Sequence, residues 1–238
     1  MFFMDPTFLL LIPPLILAAY ASAKVRSTFA KYSRRRAGSG ISGADAARRF
    51  LHANGLTDVR VEPVPGELSD HYDPRKRVLR LSRPVYGSNS LAALGVAAHE
   101  AGHAVQDARG YLPLKLRSGI YPLAAFGNNL GPVLFFIGMM LMFLTGGGGQ
   151  LALPVAKAGI ILFAGGTVFT LITLPVEFNA SRRALVMLQE QGIVTASERA
   201  DAKRVLNAAA LTYVAAAFVA IMMLLRFILL FAGMSRRR

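Results

Sequence analysis

The sequence predicts a mainly α, integral-membrane protein with about four transmembrane helices and a small α+β domain on the cytoplasmic side. Three observations carry that prediction. The 238 residues are 54% hydrophobic and their mean hydropathy is positive, which is high for a soluble chain. The apolar residues gather into four runs, Thr7 to Ala23, Pro122 to Thr145, Leu151 to Leu174 and Ala208 to Phe231. Crossing a bilayer takes about 20 apolar residues, a length that three runs clear and the first approaches. The polar stretch between the first and second runs carries strand and helix patterns in turn, as a small mixed domain would.

The first run resembles a signal peptide at Ala19-Tyr20-Ala21 and Ala21-Ser22-Ala23, but its N-terminal flank holds no Lys or Arg. Positive charge follows it instead, at Lys24, Arg26, Lys31, Arg34, Arg35 and Arg36. Short basic flanks stay in the cytoplasm, so the run is expected to be an uncleaved anchor with its N-terminus outside. Alternation then places residues 24–121 and 175–207 in the cytoplasm. The tail Arg236-Arg237-Arg238 falls outside, against the charge rule. Arg226 interrupts the last run, which either packs it inside the bundle or lies partly in the interface.

Within the polar stretch, Gly43 to Ala53 reads as an amphipathic helix capped by Ser42 and stopped at Gly55. Asp58 to Val64 and Arg77 to Leu81 read as strands, with Asp70 to Pro74 as a turn between them. A helix from Ser90 to Ala108 follows, built of small residues such as Ala97, Ala98, Ala101 and Gly102 that admit a close neighbour. Tyr111 to Tyr121 reads as interfacial, and Gly146 to Gly149 as the connection between the second and third spans. The expected organisation is an anchor (1–24), a cytoplasmic domain (25–121), a transmembrane hairpin (122–174), a cytoplasmic helical segment (175–207), and a last span with a basic tail (208–238).

The net charge of +14 crowds beside the apolar runs, where it meets anionic headgroups. No basic groove interleaved with aromatics is visible, so nucleic acid is not an expected partner. The absence of cysteine excludes disulfides and thiolate metal sites.

The most informative stretch is His99-Glu100-Ala101-Gly102-His103. On a helix, positions four apart share a face, so both imidazoles can reach one metal ion, with Glu100 beside them to hold a water. This is the ligand arrangement of a zinc hydrolase. The plain alternative is a histidine pair satisfying local hydrogen bonds, but polar groups among small apolar neighbours need a partner and a metal supplies one. Catalytic zinc takes three protein ligands and an open position. Candidates for the third are His52, His71 and the acidic residues. His52 and the carboxylates of Glu190 and Glu198 sit on segments that read as solvated. Glu177, just after the third run, is either a ligand or a helix-start carboxylate favoured by the macrodipole, and spacing does not choose between them.

Four segments, Leu68 to Arg75, Arg80-Leu81-Ser82, Val96 to Gln106 and Pro175 to Ala184, resemble the YugP-like neutral zinc metallopeptidases of prokaryotic membranes. The likeness covers roughly residues 40 to 230, and the broader layout is similar to the HtpX group of membrane gluzincins. It implies a zincin-like cytoplasmic domain with Zn²⁺ held by His99, His103 and Glu177 and with Glu100 as base. It also implies peptide or membrane-protein substrates at the lipid bilayer. One departure is Ser181, where the HtpX pattern has an acidic residue; support for a metal histidine is then expected from elsewhere, with Asn179 a candidate. His71, Tyr72, Arg182 and Arg183 are candidates to stabilise an oxyanion, His71 foremost. The strand Arg77 to Leu81 is expected to pair with an extended substrate. The competing reading is a membrane scaffold or holdase with a closed structural metal site, His71 completing four ligands.

Overall fold

The computed structural model describes residues 5–146 and 149–235, so Gly147 and Gly148 of the glycine tract and the tail Arg236 to Arg238 lie outside the described residues. The chain is mainly helical. A 3₁₀ turn, Pro6–Leu11, is capped by the Asp5 carboxylate and leads into α1 (Ile12–Ser33). There follow α2 (Gly43–Ala53), β1 (Arg60–Val64), β2 (His71–Asp73), β3 (Val78–Ser82), α3 (Arg83–Tyr86) and α4 (Leu91–Ala108). Three long helices complete the chain, α5 (Leu112–Leu144), α6 (Ala152–Glu190) and α7 (Ala196–Ser235).

Four helical segments, Pro6–Ser33, Leu112–Leu144, Ala152–Glu190 and Ala196–Gly233, are long and apolar enough to cross a membrane. Leu123, Phe126, Val133, Phe136, Met140 and Phe143 are all exposed along α5. Water does not tolerate so large an apolar surface, but hydrocarbon does. These features mark a multi-pass membrane protein. The helices run beyond the apolar runs. Residues 112–121, expected to be interfacial, are the first turns of α5, and α6 continues through Pro175 without a break.

The chain packs as two compact units. One comprises Met1–Tyr20, Leu116–Leu174 and Tyr213–Arg238. In it Phe135 stacks on Phe227 at 4.3 Å between ring centres, with Phe163 against the same ring at 5.2 Å. α5 and α6 meet through glycine: a methyl group on Gly159 would stand 2.4 Å from the Phe135 nitrogen. The small residues of the third run therefore serve packing within the chain. Arg226 is buried, bonds Asp5 at 2.8 Å and lies over the Phe8 ring. Of the two readings of the last run, packing inside the bundle is the one observed.

The other unit comprises Ala21–Lys115 and Pro175–Thr212. Its sheet has the order β1-β3-β2, with β1 parallel and β2 antiparallel to β3. The segment expected to be a turn at Asp70 to Pro74 thus contains a strand. Its three residues are too short for alternation to show, and its pairing with β3 supplies what local pattern could not. Asp70 fastens the sheet by accepting from the Ser82 backbone N–H at 2.8 Å and from its hydroxyl. Arg80 reaches Glu62 on β1 and Asp73 on β2, crossing all three strands. Phe50 and Leu51 of α2, Leu79 and Leu81 of β3, and Leu91 and Leu94 of α4 form the core with Leu188, Ile193 and Leu206.

Ser90 caps α4 by accepting from the Ala93 N–H, and Gly110 ends it with φ of +63°. Thr195 and Glu198 form a reciprocal capping box at the start of α7. α4 touches α6 where Gly102 faces Ala180: a methyl group there would stand 2.8 Å from the Ala180 carbonyl oxygen. Gly95, on the same helix, has nothing nearer than 3.9 Å.

These two glycines predict opposite outcomes. Gly95→Ala should stabilise the purified protein by up to ~1 kcal/mol through helix propensity. Gly102→Ala should destabilise it by about 1–3 kcal/mol, because backbone must move. Thermal unfolding in detergent checks both. Equal, positive shifts would show that the close approach is absent.

Candidate metal centre

α4 sets His99, Glu100 and His103 on one stretch of buried helix, and α6 brings Glu177 against it. His99 Nε2 lies 3.1 Å from Glu177 Oε2, and His103 Nε2 lies 3.6 Å from the same oxygen. The two imidazoles meet edge to face at 4.7 Å between centres. One donor atom from each of the three residues falls within 4.8 Å of the others, so the group could hold a metal ion. At Zn–N and Zn–O distances near 2.0–2.1 Å, the edge of a tetrahedron is roughly 3.3 Å. The two carboxylate–imidazole separations bracket that edge. Two nitrogens and a carboxylate oxygen are also the donor set of a zinc site, so the residues fit that ion.

Glu177 does not start a helix. It lies well inside α6, which begins at Ala152, so a helix-start carboxylate is not its setting. It is buried, as are Glu100 and His103. Glu100 borders the group without belonging to it. Burial pushes its carboxyl up to about 7; the charges of Glu177 and Asp70 act in the same direction, and those of His99 and His71 oppose.

Each imidazole of the group has a second contact. His99 Nδ1 lies 3.1 Å from the Ser181 hydroxyl, and His103 Nδ1 lies 3.0 Å from Gln106 Oε1. Ser181, expected to leave that support to another residue, therefore meets His99 itself. Asn179 touches neither imidazole and instead accepts from Gln106 Nε2 at 2.9 Å. Gln106 was missed in the sequence. Its signal is the three-residue spacing from His103 on one helix, which makes the two side chains neighbours on the helix surface.

The other candidates lie elsewhere. His52 is exposed at the end of α2, and Glu198 is held by its capping box. His71 is exposed on β2, its Nδ1 2.8 Å from the Ser69 carbonyl and its Nε2 3.5 Å from Arg80. It is outside the three-residue donor group, although its charge acts on Glu100. The Tyr72 hydroxyl donates to Asp107 at 3.0 Å, and burial followed by that partner raises its pKa. Arg182 and Arg183 line a cavity of about 570 Å³ together with Arg109 and Asn54.

A helix carrying paired histidines, a buried acid beside them and a carboxylate from a membrane-type helix define a candidate metallohydrolase centre in a membrane protein. The chain belongs to the family described as "Putative neutral zinc metallopeptidase", whose model matches residues 7–232. It is 50% identical over 222 residues, 93% of this chain and 95% of the relative, to "Putative membrane protease YugP" of Bacillus subtilis (strain 168). No solved structure matches significantly.

The burial of Glu100 makes a prediction about pH. Its folded pKa is raised from 4.5, so deprotonation penalises the folded state increasingly between pH 4.5 and about 7. After chelation, Glu100→Gln should exceed the parent in stability at pH 8 by about 3 kcal/mol, and the two should converge below pH 4.5. Thermal unfolding against pH reads this. A chelated parent as stable as the variant at pH 8 would contradict it.

Proposed function

We propose that this protein is a multi-pass zinc endopeptidase of the gluzincin type, with His99, His103 and Glu177 holding Zn²⁺ and Glu100 as general base. The observation that carries the reading is the meeting of three donor atoms from α4 and α6 with a buried, proton-accepting carboxyl beside them. The unit containing α4 is read as a zincin-like domain facing the cytoplasm, as the basic flank from Lys24 to Arg36 supports. The membrane is read as the plasma membrane.

Zinc bound there supplies Lewis acidity and a water that ionises near neutral pH. Glu100 takes a proton from the attacking water and later delivers it to the leaving amine, a task suited to a carboxyl raised toward neutrality. His71 is read as the donor to the developing oxyanion.

An extended substrate adds a strand to the sheet. The expectation had placed it on Arg77 to Leu81, but those residues fall largely in β3, which is paired on both sides. β2 lies at the sheet edge, is tied to α4 through Tyr72 and Asp107, and is the strand we assign to substrate. Recognition by backbone pairing demands little of side chains, which suits clearance or processing of damaged membrane proteins. The scaffold reading requires a closed site, whereas the donor group among the described residues has three members and leaves out His71.

Glu100→Gln tests the assignment. The purified variant should keep one zinc per chain and lose cleavage of unfolded casein by at least about 100-fold. A variant cutting at the parent's rate would exclude Glu100 as base.

A further inference from the structure

A line of hydrogen bonds starts at Arg183 and ends on His103, and its polarity can be assigned atom by atom. Arg183 Nε is 2.8 Å from Asn179 Oδ1. A guanidinium only donates, so the Asn179 atom facing it is the carbonyl oxygen. That oxygen is also 2.9 Å from Gln106 Nε2, which must therefore donate. The same Nε2 stands 2.9 Å from the Val176 carbonyl, which only accepts. Both partners fix the Gln106 amide in one orientation, with Oε1 toward His103 Nδ1 at 3.0 Å. An amide oxygen only accepts, so Nδ1 of His103 carries the proton. Its Nε2 faces Glu177 Oε2 at 3.6 Å, on the side where a metal ion would be held.

We infer that Gln106, anchored by Val176 and by Asn179 with Arg183, is a positioning residue that fixes the His103 tautomer and ring orientation for a metal ion. The inference rests on the zinc-site reading of His99, His103 and Glu177. The two histidines differ in this respect. His99 Nδ1 faces the Ser181 hydroxyl, which can donate or accept, so that contact sets direction without setting the tautomer. Gln106 is fully buried, and its amide has one arrangement that satisfies every partner. The Asn179 and Arg183 end of the line reinforces an orientation that the Val176 carbonyl also demands, so it contributes less than Gln106 itself.

The test measures zinc affinity by chelator competition and the ring protonation state by ¹⁵N NMR of histidine-labelled protein in detergent. With four histidines in the chain, assignment by single substitution is practical. The metal-free parent should show His103 protonated at Nδ1. Gln106→Leu should weaken zinc binding by about 10–100-fold and mix the two tautomers. Because that variant can perturb folding, the distal positions give a second reading. Asn179→Leu and Arg183→Met should weaken zinc binding several-fold, whereas Asn179→Asp and Arg183→Lys, which keep the acceptor and the donor, should restore it. Parent-like zinc affinity in Gln106→Leu, or a parent His103 that carries no proton at Nδ1, would overturn the inference while leaving the zinc site standing. A parent that binds no zinc, or binds it unchanged after Glu177→Ala, would instead refute the reading on which it rests.

Discussion

The close approach of α4 to α6 is the constraint on which the site depends. Gly102 lies between His99 and His103 on the helix, and its missing side chain is what lets the Ala180 backbone come near. That approach brings the Glu177 carboxylate within reach of both imidazoles. Ala98, one turn earlier on the same face, is fully buried as well. A larger side chain at Gly102 would add apolar area but move the donors apart. Core density is here subordinate to the spacing of three polar atoms.

Burial of polar groups sets the second condition. An unpartnered amide or imidazole in such surroundings costs several kcal/mol, roughly 2–7 depending on reference. Each buried group near the site has a named partner: Gln106 with Val176 and Asn179, His103 with Gln106, and Ser82 with Asp70. The Glu100 carboxyl is raised toward neutrality by burial, which suits the proposed chemistry. In the apolar unit the same rule gives Arg226 its partners in Asp5 and the Phe8 ring.

Much of the fold was legible in the chain because its signals are local. Four apolar runs, the Ser42 cap and the glycine after α2 each act through neighbouring residues. The short strand β2 was not legible, because three residues carry no periodicity and their pairing is with distant β3. The extension of α5 and α6 beyond their apolar runs was missed for a related reason: apolar length reports what lipid can accept, not where a helix ends. At the site, the motif pointed to His99, Glu100 and His103 through helical spacing alone. Glu177 was separable from an interfacial carboxylate only by resemblance, since nothing in the spacing says which face of α6 meets α4. Gln106 offered only its spacing from His103 until its partners on α6 were in place.

Residues far apart in the chain are proposed to share one zinc ion, and X-ray absorption at the zinc edge of the purified protein reads that ion's ligands. One zinc per chain is expected, with two imidazole nitrogens and oxygen ligands, and a first shell that changes, with loss of zinc, in Glu177→Ala. A chain that purifies without zinc and takes none up, or a first shell identical in the parent and in Glu177→Ala, would contradict it.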